Sequence, residues 1–189
     1  MVIDCPDDAM TVHVGANVMN LWPKGAHGVT ARFIDPSWSG WGGDLAVSTP
    51  LWRCLRVGLR EQVVFQVQDE TLGVVGRRTH LVSQLQLGGE LSFPWRVQVG
   101  AWLLPGVRTV FLRDQVNFEA VETDYRDTTV LGSWSAMLVA RVWATPLIGG
   151  HLSLRAPVAD FSRAFNFADQ FVGLGIDLRV DRRGADAAE

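Results

Sequence analysis

The chain has 189 residues, a formal net charge of -3 and a pI near 5.8. That length fits one domain, and the acidic balance excludes a general nucleic-acid binder. Lys24 is the only lysine; every other basic residue is arginine. No apolar run approaches the roughly 20 residues of a membrane helix, but strands that cross a membrane need only about 9–11 with alternate faces apolar.

The first strand is expected at 11–22, with Val12, Val14, Ala16 and Val18 on one face and His13, Gly15 and Asn17 on the other. The second covers 43–49 and the third 54–68. In the third, Leu55, Val57, Leu59, Val63, Phe65 and Val67 oppose Arg56, Gly58, Arg60, Gln62, Gln66 and Gln68. The fourth, 79–91, sets Leu81, Leu85, Leu87 and Leu91 against His80, Gln84, Gln86 and Glu90. The fifth starts at Trp95, with Val97, Val99, Ala101 and Leu103 opposing Arg96, Gln98 and Gly100. The sixth covers 131–143, the seventh 148–156 and the last 170–180. Period-2 alternation over this many segments is a strand signal.

Three short proline turns share one plan: Ser48-Thr49-Pro50-Leu51-Trp52-Arg53, Ser92-Phe93-Pro94-Trp95-Arg96 and Ala144-Thr145-Pro146-Leu147-Ile148. The long polar connections, 23–41, 69–78, 105–130 and 157–169, lie between them. Short turns at one end and long loops at the other predict an all-β, antiparallel, up-and-down transmembrane β-barrel of eight strands. Pro105-Gly106 is a rival turn that would make ten strands. With eight, 107–114 extends the fifth strand above the membrane. Residues 1–10 become a periplasmic N-terminal segment, 11–180 the barrel, and 181–189 a polar, disordered tail. Residues 1–8 lack a basic start and an apolar stretch, so an exported barrel is expected to have lost a signal or an upstream domain.

Alternation alone leaves the wet face open. A lipocalin-like soluble barrel would turn the apolar face inward around a hydrophobic ligand. Two features point the apolar face to lipid. Trp22, Trp41, Trp52, Trp95 and Trp143 sit near strand ends, where an aromatic girdle belongs. On the other face, Arg56, Arg60, Arg96, Arg141, Arg155 and Arg179 would meet Glu90, Asp44 and Asp177 as a lumen charge network. Glu61 breaks the parity by facing lipid between Leu59 and Val63, and a β-bulge at 60–62 is expected to turn it inward.

On these residues the chain resembles the small eight-stranded outer-membrane β-barrels, the OmpA/OmpX-like class, from about Thr11 to Val180. The resemblance implies outer-membrane insertion, contact with lipid and lipopolysaccharide, and surface loops that could meet an extracellular ligand. It also implies a non-enzymatic role in envelope structure, adhesion or a minor pore. Such barrels often end on a C-terminal aromatic, whereas the last strand here ends Leu178-Arg179-Val180.

Chemistry is sparse. His151 and Ser153 share a face of the seventh strand, and a His–Ser pair with a carboxylate can activate a hydroxyl. Lipid A deacylases are eight-stranded barrels with a similar His-x-Ser element, but Leu154 stands where they have asparagine. His13, His27 and His80 share no metal-ligand spacing. The acidic residues Glu119, Glu122, Asp124 and Asp127 lack a calcium-loop signature. No cofactor or metal is expected. Cys5 and Cys54 both fall near the periplasmic rim, where an oxidising compartment allows a disulfide; two unpaired thiols are the alternative.

Overall fold

The computed structural model describes residues 4–6, 9–19, 40–71, 74–118, 121–160 and 171–180. Eight strands follow in order: β1 (Met10–Met19), β2 (Gly40–Trp52), β3 (Leu55–Thr71), β4 (Val74–Phe93), β5 (Val97–Phe118), β6 (Val121–Trp143), β7 (Ile148–Asp160) and β8 (Phe171–Val180). Each pairs antiparallel with its neighbour, and β1 pairs with β8 to close the barrel. Closure leaves no sheet edge, so the strands satisfy one another's backbone groups all the way round. Among the described residues no helix is long and apolar enough to cross a membrane, which says nothing against a barrel.

β5 runs straight through Pro105-Gly106, so the ten-strand alternative fails. The proline leaves a local mark. The β4–β5 ladder pairs Gln84 with Gly106 and resumes at Leu87 with Leu103. Leu85 and Gln86 are skipped there, beside a residue that has no N–H to give.

Two of the four expected loops are largely strand. β3 and β4 reach Thr71 and Val74, while β5 and β6 reach Phe118 and Val121. These hairpins continue as paired ladders beyond the apolar belt. Apolar alternation fades in these stretches of the sequence while backbone pairing persists, so periodicity alone misses the extension. The calls on 23–39 and 161–170, and on the 181–189 tail, lie outside the described residues.

The Pro94 turn also differs from expectation. Trp95 and Arg96 belong to a short turn at Pro94–Arg96, with φ of 68° and 62°, in the left-handed region that non-glycine residues rarely enter. Trp95 is therefore 92% exposed at the rim instead of opening β5.

Parity settles which face is wet. Val14, Leu45, Leu59, Leu85, Leu103, Leu138, Leu152 and Ile176 point outward and are exposed. His13, Asp44, Arg60, Gln86, Glu90, Arg141, His151 and Asp177 point inward and are buried. The soluble-barrel alternative requires the opposite arrangement. Trp41 and Trp52 stand eleven positions apart on β2 and are both exposed. For a tilted strand that is roughly 25–30 Å along the barrel axis, the height of a lipid-facing belt.

Glu61 does not turn inward. The β2–β3 and β3–β4 ladders pass it in unbroken register, pairing it with Leu45 and Ser83. It stays on the outer face, where the Ser83 hydroxyl donates to its carboxylate at 2.7 Å. That neighbour, and not a bulge, is how the sheet accommodates the charge. Replacing Glu61 by leucine should raise the denaturant midpoint of the barrel refolded in lipid vesicles. The expected gain is on the order of 1 kcal/mol, and an unchanged or lower midpoint would show that the carboxylate is not desolvated.

Candidate functional site

The inward face carries the chemistry. Asp177 on β8 is fully buried and joins three other strands. His13 Nδ1 on β1 lies 3.3 Å from its Oδ1, and His151 Nδ1 on β7 lies 3.0 Å from its Oδ2. Arg141 Nε on β6 donates to the same Oδ2 at 3.2 Å. His13 Nε2 continues to Asp44 Oδ2 on β2 at 2.7 Å. Asp44 also pairs with Arg60 on β3 and accepts from Asn17 Nδ2 at 3.3 Å. Arg141 pairs with Glu90 on β4, and Arg56 Nε lies 3.5 Å from the other oxygen of Glu90. The chain of contacts thus takes a charged or imidazole side chain from each of β1, β2, β3, β4, β6, β7 and β8.

The small residues are part of this arrangement. A Cβ at Gly175 would overlap the His151 ring and the Val14 carbonyl oxygen, and one at Gly15 would crowd Asp44 and His13. The glycines leave room for the His13 and His151 rings, whose centroids stand 4.0 Å apart.

Arg155 forms a second layer. It donates to Gln84 Oε1 at 2.9 Å and to Gln62, and its guanidinium lies 3.9 Å from the centre of the Phe171 ring. Around both layers are apolar inward side chains that the polar-lumen expectation did not include: Trp102, Leu104, Met137 and Val139 form one cluster, Val64 and Phe171 another. Arg60 donates to the Met137 sulfur at 3.1 Å, tying the charged layer to the apolar one.

A cavity of about 300 Å3 opens at the short-turn end, among Cys5, Gln98, Trp143 and Arg179. A cavity of about 10 Å3 lies among Thr11, His13, Arg60, Gln86, Arg141 and Ser153, about the volume needed to hold one water molecule. A larger groove of about 660 Å3 is lined chiefly by outward residues, including Leu55, Leu87, Ala101, Leu103 and Leu138. It is a dent in the outer face and not a lumen.

Of the expected lumen residues, Arg56, Arg60, Glu90, Arg141, Arg155 and Asp177 are buried inside. Arg96 is not among them. It is exposed in the Pro94 turn and donates to the Ala144 carbonyl of the next turn at 2.8 Å. Arg179 is half-buried at the end that carries the short turns, 3.9 Å over the Trp143 ring. Trp143 itself leaves the girdle. It is 4% exposed and gives its indole N–H to Gln98 Oε1 at 2.9 Å, because its parity on β6 is inward. Trp41, Trp52 and Trp95 are exposed, and Trp22 lies outside the described residues. Trp134 is a further exposed tryptophan that the sequence reading passed over.

Cys5 and Cys54 are joined, with Cα atoms 4.6 Å apart. Asp4 pairs with Ser92, and Arg56 donates to the Ala9 carbonyl at 2.9 Å. The N-terminal segment is thereby strapped across the end of the barrel that carries the short turns.

His151 and Ser153 both point into the interior and are buried. His151 has a carboxylate partner in Asp177, but its Nε2 has no hydrogen-bond partner among the described residues, so the relay to Ser153 is not made. The histidine spacing in the sequence misses one grouping. His13, His151 and Asp177 place ligand atoms within 4.8 Å of one another. Both nitrogens of His13 are already engaged by carboxylates, and Arg141 shares Asp177, so an incoming cation would face a resident one. His27 and Glu119 lie outside the described residues, and Asp127 is exposed with its carboxylate on the Thr128 N–H.

No family model and no curated protein matches the chain. Solved structures do. Ail, the attachment invasion locus protein of Yersinia pestis, in complex with the heparin analogue sucrose octasulfate, aligns at TM-score 0.55 and 10% identity, covering 91% of this chain and 97% of Ail. A second Ail structure gives 0.53 at the same identity and coverage. The N-terminal β-barrel domain of Pseudomonas aeruginosa OprF gives 0.48 at 12% identity, over 92% of this chain and 98% of that domain.

Asp177→Asn should lower unfolding stability in detergent by on the order of 3 kcal/mol, because it leaves Arg141 and the two histidines around a neutral group. Arg53→Gln, at an exposed turn, should move it by less than about 0.5 kcal/mol. Equal midpoints for the two variants would remove Asp177 from its central place. A closed eight-stranded barrel with its apolar face outward has the surface of a membrane-spanning protein, and the fold of this chain is that of the small eight-stranded outer-membrane β-barrels.

Proposed function

We propose that this chain is a non-enzymatic outer-membrane barrel whose interior is closed by its charge network, so that any recognition takes place at its outer end. The observation that carries this reading is the filled interior. Seven strands contribute to one connected set of buried charges and imidazoles, and the cavity that lies within that set is about 10 Å3. An eight-stranded barrel has an interior just wide enough for side chains to fill. Its standing partners are the lipid and lipopolysaccharide around it, and an extracellular ligand would meet the long hairpins β3–β4 and β5–β6. Ail, with the same fold, is seen with a sulfated sugar analogue, which makes a polyanionic surface ligand the first class to try. Envelope structure and adhesion are the roles this supports.

In planar bilayers the wild-type chain should give no resolved channel openings at moderate salt. A triple variant, Arg60→Ala, Arg141→Ala and Arg155→Ala, should conduct if it folds. Steady wild-type openings would contradict the closed interior. The non-enzymatic reading has its own check. Expressed in a host with a defined lipid A, wild type and Ser153→Ala should leave the same lipid A mass spectrum as an empty vector. A shift with wild type that Ser153→Ala abolishes would make the chain an enzyme.

A further inference from the structure

The N-terminal segment takes a place that the sheet leaves open. β3 begins at Leu55, opposite Gly89 of β4, so the β3 side of β4 has no strand beyond that point. On its other side Ser92 pairs with Gln98 of β5. Asp4 fills the vacant side. Its N–H donates to the Ser92 carbonyl at 3.1 Å, and the Ser92 N–H donates to the Asp4 carbonyl at 2.7 Å. Met10 opens β1, on the far side of β2 and β3, so the segment spans the short-turn end between β4 and β1. There Asp4 and Cys5 form part of the wall of the cavity of about 300 Å3, which also reaches the buried Gln98 and Trp143.

We propose that the Cys5–Cys54 disulfide is a redox latch: it holds Asp4–Pro6 over this cavity, and a dithiol reductant at the short-turn end releases the segment and opens the cavity to solvent. Asp4 is exposed and Ser92 half-buried, so water competes for both backbone bonds between them. Two such bonds return less, net of water, than the conformational entropy of fixing three residues. The covalent link therefore decides whether the segment stays. That link is reachable, since Cys5 is exposed and Cys54 half-buried, and exposed disulfides are the ones that exchange. A thiolate of the dithiol attacks the Cys5 sulfur and breaks the Cys5–Cys54 bond; Cys54 leaves as a thiolate and takes up a proton. The second thiol of the reductant then displaces Cys5 as a thiol. Two electrons and two protons pass from the dithiol, which ends as a disulfide. Release is local, because β1 is paired along Thr11–Met19 with β2 and along Met10–Met19 with β8, independently of the segment. Arg56 loses the Ala9 carbonyl but keeps Thr11 Oγ1 and the Ser48 carbonyl, so the charge network stays in place behind the opened cavity.

The test follows the full chain, folded in zwitterionic detergent, before and after millimolar dithiothreitol, with hydrogen–deuterium exchange read by mass spectrometry. The different migration of boiled and unboiled samples on a detergent gel reports whether the barrel stays closed. The oxidised chain should protect the amides of Asp4 and Ser92. Reduction should speed their exchange by about tenfold or more, leave peptides around Leu59 and Leu81 unchanged, and keep the gel shift. Cys5→Ser with Cys54→Ser should show the fast exchange without reductant, and dithiothreitol should not alter it. Opening of the cavity is read separately by hydroxyl-radical footprinting, in which Trp143 should be labelled faster in the double variant than in oxidised wild type. If that variant does not fold, wild type with its thiols reduced and alkylated takes its place. Amides that stay protected after reduction overturn the proposal, as does a disulfide that resists dithiothreitol while the barrel is folded. Loss of the gel shift on reduction also overturns it, by making the bond a staple of the whole barrel. Equal labelling of Trp143 in the two chains overturns it too, since the segment would then not have covered the cavity.

Discussion

Asp177 is the constraint on which the interior depends. A carboxylate with no solvent exposure is tolerable only when cations and donors surround it, and here they come from β1, β6 and β7. The residue sits on the strand that closes the barrel against β1. His13 pairs with Asp177 across that seam in the β1–β8 register and passes the contact on to Asp44. A slip of one residue would send every one of these groups to the lipid face and bring leucines inside. The network and the register therefore enforce each other: the charges need closure to find partners, and closure in this register is what brings them together.

The outer wall follows a complementary logic with one exception. Its strands bury nothing against the rest of the chain, so leucine, valine and isoleucine can occupy outward positions only because lipid covers them. Glu61 departs from this at six positions above the start of β3, and Ser83 is the local answer to it. Toward their long ends the same strands continue as paired ladders. The β5–β6 hairpin is the longest, running from Val97 to Phe118 and back from Val121 to Trp143.

Much of this was legible in the sequence, and for identifiable reasons. The alternation in Thr11–Val18, Leu55–Phe65 and Phe171–Val180 fixes inside and outside once the wet face is chosen, and the three proline turns fix which end is which. Parity placed Arg56, Arg60, Arg141, Arg155 and Asp177 inward before any contact was known. It failed at Arg96 and Trp95, where two left-handed residues make a turn that a strand pattern cannot anticipate, and at Trp143, which proximity to a strand end assigned to the girdle against its own parity. What could not be read was height. The meeting of His13 with His151 depends on the stagger set by closure, a property of all eight strands together. Glu61 was expected inward through a bulge because the sequence does not show that Ser83 of the next strand stands opposite it.

The account stands on the outward direction of the apolar face, and depth-resolved quenching tests that most directly. In a background without Cys5 and Cys54, single cysteines at Leu59 and Leu138 on the outer face, and at Gln86 on the inner, would carry a small fluorophore in vesicles of brominated lipid. The account predicts strong quenching at Leu59 and Leu138 and little at Gln86. Strong quenching at Gln86 with none at Leu59 and Leu138 would contradict it.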